Sequence, residues 1–290
     1  MATREELIGA LGVELDPRAE LVPVAVVDGA LISAEAAVRL DSPTGGRPSD
    51  LRPPIAAVDG PLGDLVTHER SITSQNGEDG VLEALFGAIG TTNRVLVEFG
   101  CGDASECNSA QLILRGWTGL LMDPFAISAN PRAEVRREFV TAENVERLFD
   151  LYGVPSEFDL LSVDIDGNDL WVWKAIKRRP RVVVIETNAH VSPRLSRALP
   201  YDPNHRWDGT DQFGASLLAL ATLGRHKGYT LVHVESRGVN AFFVADECLP
   251  GGFVPRALDD LYRQPDYLGL GLAYPSAAEP RMVDFLADDS

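Results

Sequence analysis

RVLVEFGCGD, residues 94–103, is a continuous apolar run closed by an acid, two glycines and a second acid. A run apolar on both sides of the pleat belongs to a strand covered on both faces, as in a parallel α/β sheet. The two glycines, Gly100 and Gly102, remove side chains that would bar a ligand from the turn, and the helix expected after it offers unpaired N–H groups. The dinucleotide pattern G-x-G-x-x-G is incomplete, because Ser105 stands where the third glycine belongs.

The same alternation extends in both directions. Upstream, Glu78 to Ile89 places Val81, Leu82, Leu85, Phe86 and Ile89 on one face of a helix. Downstream, the strand runs are TGLLM (118–122), a weaker REFVT (137–141), FDLLSV (158–163) and RVVVIE (181–186). Helices are predicted through about Arg115, over about 143–152 and over DLWVWKAIK (169–177). A helix over about 212–227 precedes YTLVHVE (229–235), a tight turn and VNAFFV (239–244). So short a connection makes the last two strands antiparallel, since a parallel crossover needs about a dozen residues or more. The expected fold is α/β and Rossmann-like, with parallel strands and a C-terminal antiparallel hairpin. A nicotinamide-binding domain normally ends on a sixth parallel strand instead.

Before this domain lies DSPTGGRPSDLRPP (41–54), dense in turn formers and read as a linker. The expected division is an N-terminal appendage and linker over 1–68 and a main domain over 69–290. The appendage has an amphipathic stretch, then an apolar run ending at Asp28-Gly29, read as a strand or hairpin. The net charge of −17 argues against a nucleic-acid partner, because phosphate binding rests on Lys and Arg. Clusters such as Arg136-Arg137 and Lys177-Arg178-Arg179 are too short to track a backbone. No signal segment or membrane span is read, so the expected compartment is the cytoplasm and no membrane partner is expected. Three cysteines, odd in number, do not form a disulfide framework. The partners expected are a small-molecule acceptor and, at most, a second copy of the chain.

Glu98 with the glycine turn is similar to the first motif of S-adenosylmethionine methyltransferases. SQNGEDG (74–80), VEFGCGD (97–103), NSAQLILRGWTGLLMD (108–123), DLLSVDIDGND (159–169), VVVIETN (182–188), YDPNHRWDGTDQFGAS (201–216) and GVNAFFV (238–244), in this order, resemble FkbM-type methyltransferases of a natural-product-associated bacterial branch. The likeness covers residues 70–245. It implies a class I methyltransferase fold, S-adenosylmethionine as methyl donor, and transfer to a hydroxyl of a small molecule or sugar. Glu98 would face the amino-acid end of the cofactor. Asp123 departs from the Glu common in the family, and Cys101 is unusual in the glycine turn.

Asp123 closes the second strand 25 residues after Glu98, where an acid accepts hydrogen bonds from both ribose hydroxyls. Asn144, after the third strand, is placed near the adenine. Asp164 ends the fourth strand, beside donor and acceptor. Asp164, Asp166, Glu186 and Asn188 lie at two neighbouring strand ends and form an oxygen-rich set suited to Mg²⁺ or another divalent cation. Without a metal, His190 and His205 are candidates for the base, and Asp164 completes the catalytic set. Segment 200–213, long and rich in aromatic and polar residues, reads as a substrate lid. N- or C-methylation, cyclisation of the cofactor, and a non-catalytic binding module are the alternative functions.

Overall fold

The computed structural model describes residue 60 and residues 62–125, 134–267 and 272–286, with three two-residue strands at 26–27, 30–31 and 38–39. The chain falls into two units, Met1–Ala37 and Val38–Ser290. In the first, Val26–Val27 pairs antiparallel with Ala30–Leu31 on either side of the Asp28-Gly29 step. The expected helix before it and the linker at 41–54 lie outside the described residues.

The second unit is an α/β fold built on one seven-stranded, mostly parallel sheet. In chain order its elements are α1 (Glu78–Ile89), β1 (Val95–Phe99), α2 (Ala110–Leu114), β2 (Thr118–Met122), β3 (Val135–Arg136), α3 (Val145–Leu151), β4 (Glu157–Val163), α4 (Asp169–Ala175), β5 (Arg179–Glu186), α5 (Leu217–His226), β6 (Tyr229–Val234), β7 (Asn240–Ala245) and α6 (Leu258–Leu261). The spatial order is β3-β2-β1-β4-β5-β7-β6, with β7 antiparallel to both its neighbours. Two further short antiparallel pairs join Val38–Arg39 to Leu272–Ala273 and Arg197–Ala198 to Val283–Asp284.

Alternation along the strands feeds two cores. Val97, Phe99, Leu161, Val163, Val183, Ile185 and Phe243 pack against α3, α4 and α5. Leu96, Leu121, Leu160, Val182, Val184 and Phe242 face α1 and α2. A central strand buried on both sides has no polar face, which is why these runs read as unbroken apolar stretches. Trp173 is fully buried against Phe243 and Tyr229.

The third strand is a correction. It pairs Val135–Arg136 with Leu121–Met122, and the expected run REFVT (137–141) is largely irregular chain. Val140 is buried all the same, so its apolar character reflects packing below the sheet edge and not strand pairing. No helix among the described residues is long and apolar enough to cross a membrane.

In the order 3-2-1-4-5, the direction of winding reverses between β1 and β4. Open α/β sheets bind ligands in the crevice outside the carboxyl ends of the strands at this switch point. Every candidate site residue lies along this edge.

Candidate active site

The glycine turn follows β1. Gly100 has φ +72°, and a Cβ there would fall on the backbone carbonyl oxygen of Asp164 at the end of β4. Gly102 is also left-handed, at φ +54°, but nothing lies within 4 Å of where its Cβ would be. The first glycine therefore lets two strand ends close on each other, and the second leaves the crevice open. Ala104 (φ +61°) and Asp166 (φ +56°) are left-handed without being glycine. Such backbone costs roughly 1–3 kcal/mol per residue and tends to cluster at functional sites.

Asp123 ends β2 beside this turn, half-buried. Its Oδ2 accepts from Gly102 N at 3.2 Å and its Oδ1 from Phe125 N at 2.8 Å.

Glu98 corrects the expectation placed on it. It is only 2 % exposed, and it accepts from Asn108 N (2.9 Å), Ser109 N (3.0 Å), Ser109 Oγ and Ser162 Oγ (3.4 Å). Both oxygens are spent on bracing the chain into α2, through the N–H groups of Asn108 and Ser109. Burial raises its pKa. Cys101 and Cys107, free and buried beside it, are pushed up by burial and then by the Glu98 charge, which leaves them unreactive. Asn144 is likewise engaged at home. Its amide donates to Phe139 O and its Oδ1 accepts from Thr141 N, both at 2.8 Å, which shapes the entry to α3.

At the ends of β4 and β5 the carboxylates of Asp164, Asp166 and Glu186 converge, with one ligand atom from each within 4.8 Å of the others. Asn188, expected as a fourth ligand, is anchored in the backbone of the neighbouring loop. Its amide donates to Asp211 O and Phe213 O at 2.8 Å, and its Oδ1 accepts from His190 N at 3.0 Å. Asp169 braces the loop, accepting from Ile165 N at 2.8 Å and Gly167 N at 2.9 Å, on either side of Asp166.

Burial and then the neighbouring acids hold Asp164 and Glu186 well above the usual carboxylate range. Asp166 is open to solvent, yet the walls of its recess and the Asp123 charge raise it as well. Burial pushes Asp169 to about 6. Glu235, buried in the β6–β7 turn, is pushed to about 8 by burial and then by Glu78. A carboxyl whose folded pKa is raised contributes stability that is complete at low pH and fades as pH climbs through the folded value. Metal-free protein should therefore melt at a higher temperature at pH 6.5, the ordinary imidazole value, than at pH 8, where Glu235 titrates. Below this window His190, His205 and His233, each lowered by burial, oppose the trend. Thermal melts in chelator check it, and an equal or higher midpoint at pH 8 would count against the raised carboxyls.

The two histidines differ. His190 Nε2 accepts from Tyr274 N at 3.3 Å, and its ring stacks near Tyr267 and Tyr274, with Phe213 edge-on. It is a wall residue, not a ready base. His205 lies against Gly167 in the β4–α4 loop, with its buried Nε2 lacking a hydrogen-bond partner. Burial lowers the pKa of both, so both are neutral near pH 7.

The expected lid is tied down at many points. Asn168 Nδ2 donates to Asp202 O at 2.8 Å, and Asp211 N donates to Pro275 O at 2.9 Å. Gln212 Oε1 accepts from Arg281 N (2.6 Å) and Met282 N (3.2 Å). Residues 272–286 thus strap the segment in place. The sequence reading missed Tyr267 and Tyr274. Their stacked rings, 4.3 Å apart, join Trp207 and Phe213 in an aromatic wall. Burial and then the Glu186 charge raise both phenols, which places them beside the acids. They lie in irregular chain with no periodicity to mark them.

A second recess, of about 280 Å³, lies between residues 69–77 and the β6–β7 turn. Its two arginines already face carboxylates, Arg70 on Glu83 and Arg237 on Asp266, so its charge is balanced. No protein-family model matches the chain, and no curated protein is detectably similar to it in sequence.

Proposed function

We propose that the chain is a class I methyltransferase of FkbM type that transfers a methyl group from S-adenosylmethionine to a hydroxyl of a small molecule. The observation that carries this reading is the crevice at the β1–β4 switch point. There an open glycine turn faces Asp123 on one side and the strand ends bearing Asp164 and Glu186 on the other. The antiparallel β7 between β5 and β6 gives the terminal hairpin that the resemblance implies.

The residues present fit the cofactor. When bound, it supplies a methyl group already activated on a sulfonium, so the protein's task is alignment and deprotonation. Asp123, at the end of β2 beside the turn, would accept from the ribose hydroxyls, and the bare Gly102 admits the ligand to the turn. Glu98 holds that turn from beneath and does not touch the ligand. Neutral His205, packed on Gly167 beside Asp166, is assigned the proton of the acceptor hydroxyl. Trp207 and Tyr274, backed by the fully buried Phe213, form a wall that excludes water and flanks the acceptor.

The test is to incubate the protein with methyl-labelled S-adenosylmethionine and a panel of polyhydroxylated and phenolic acceptors. Label is expected in an ether product, together with S-adenosylhomocysteine. Release of methylthioadenosine with no labelled acceptor would point to cyclisation or cleavage of the cofactor. The absence of any cofactor affinity by calorimetry would leave a scaffold without the chemistry.

A further inference from the structure

The buried acids of the described residues are supplied with donors, with one exception. Glu98 has four, and Asp159 accepts from Thr92 N, Asn93 N and Arg94 N. Asp79 accepts from Ile72 N, Thr73 N and Ser74 N. Glu78 holds Asn76 N and Asn240 Nδ2, and Glu235 holds Arg237 N, Val239 N and Asn240 N. Glu186 is equally hidden, at 7 % exposure, yet its Oε2 has no partner. A buried carboxylate oxygen left in this state is costly, and native structures avoid it unless something else satisfies it.

The surroundings say what that is. Among the described residues no Lys or Arg forms an ion pair with Asp164, Asp166 or Glu186, so three carboxylates crowd one spot without a countercharge. Glycine stands on the Glu186 side of the cluster, where a Cβ on Gly214 would come to 4.0 Å from Glu186 Oε2 and 3.8 Å from Asp169 Oδ2. The backbone that aims Asp166 is held in the left-handed region at φ +56°, pinned from both sides by Asp169. Strained backbone persists only where its surroundings over-determine it.

We infer that Asp164, Asp166 and Glu186 bind one divalent cation of the hard, oxygen-preferring class, magnesium or manganese. No thiol or imidazole belongs to the triad, which disfavours zinc and copper. Three carboxylate ligands leave coordination positions for water or an acceptor oxygen. The cation site stands on its own geometry, while its use in holding the acceptor rests on the methyl-transfer reading above. Asp169 is a positioning residue that keeps the loop in its ligating form.

The experiment is thermal melting and calorimetry on the full chain, dialysed against EDTA and then titrated with MgCl₂ or MnCl₂ at constant ionic strength. One site per chain is expected. The melting midpoint should rise by about 5–10 °C once the cation reaches roughly 100 times its Kd. Glu186→Gln should melt at or above the metal-free wild type, because it keeps the shape and takes one of three crowded carboxyls out of the cluster, and it should bind the cation at least tenfold more weakly. Asp123→Ala should keep the cation response, so a failure of the cofactor assignment is read separately. The inference is overturned if the wild type shows neither heat nor midpoint shift into the millimolar range. It is equally overturned if Glu186→Gln responds as the wild type does.

Discussion

Asp123→Ala is expected to weaken S-adenosylmethionine binding about 10²-fold while the protein stays folded. Hydrogen bonds to a charged acceptor are worth roughly 1.5–3 kcal/mol each, and a hundredfold change in Kd is about 2.7 kcal/mol, so losing one or two ribose bonds suffices. The fold should survive because the two N–H groups that Asp123 holds, of Gly102 and Phe125, lie in exposed chain where water replaces it. Asp123→Asn keeps one acceptor and should fall between. Calorimetry reads the affinity and circular dichroism the fold. A folded alanine variant with wild-type affinity would remove Asp123 from the site.

Gly100→Ala should destabilise the protein by about 2–5 kcal/mol. A left-handed residue with a Cβ costs about 1–2 kcal/mol, and overpacking a tight interior adds about 1–3 kcal/mol. Here the obstructing atom is backbone, the Asp164 carbonyl oxygen, which cannot rotate away. The turn cannot retreat either, because Gly100 N donates to Met122 O at 2.9 Å and Asp164 N to Phe99 O at 3.2 Å. Gly102→Ala shares the left-handed backbone but meets nothing, so it should lose only about 1–2 kcal/mol of stability and chiefly impair ligand entry. Urea midpoints of the two variants should separate clearly, and indistinguishable values would contradict the close approach of β1 and β4.

Strands β1, β2, β4, β5, β6 and β7 were legible because their burial writes mostly apolar runs into the sequence. β3 was not, since two residues on an edge are fixed by hydrogen bonding to β2, which leaves no hydrophobic signature. At the site, the acids of Asp164, Asp166 and Glu186 could be placed from their strand ends, and they do meet. Glu98, Asn144 and Asn188 have the right type in the right place but spend their polar atoms on nearby backbone, which residue identity cannot reveal. His190 and His205 looked alike in sequence. Only the packing of Tyr274 on one and the unpartnered Nε2 of the other distinguish them. The same limit applies to the basic clusters, where Arg178 is committed to Glu146 and Asp150 and Arg179 to Glu247.

The seat of the Asp164 carbonyl on the α-carbon of Gly100 makes one wall common to the glycine turn and the carboxylate triad. Two ligands that share a wall are linked thermodynamically. If occupancy of the turn shifts Asp164 and changes the affinity of the triad for its cation by some factor, occupancy of the triad must change the affinity of the turn by the same factor. The order of addition then has no bearing on the doubly loaded state, and the close approach of two strand ends is where the coupling would be carried.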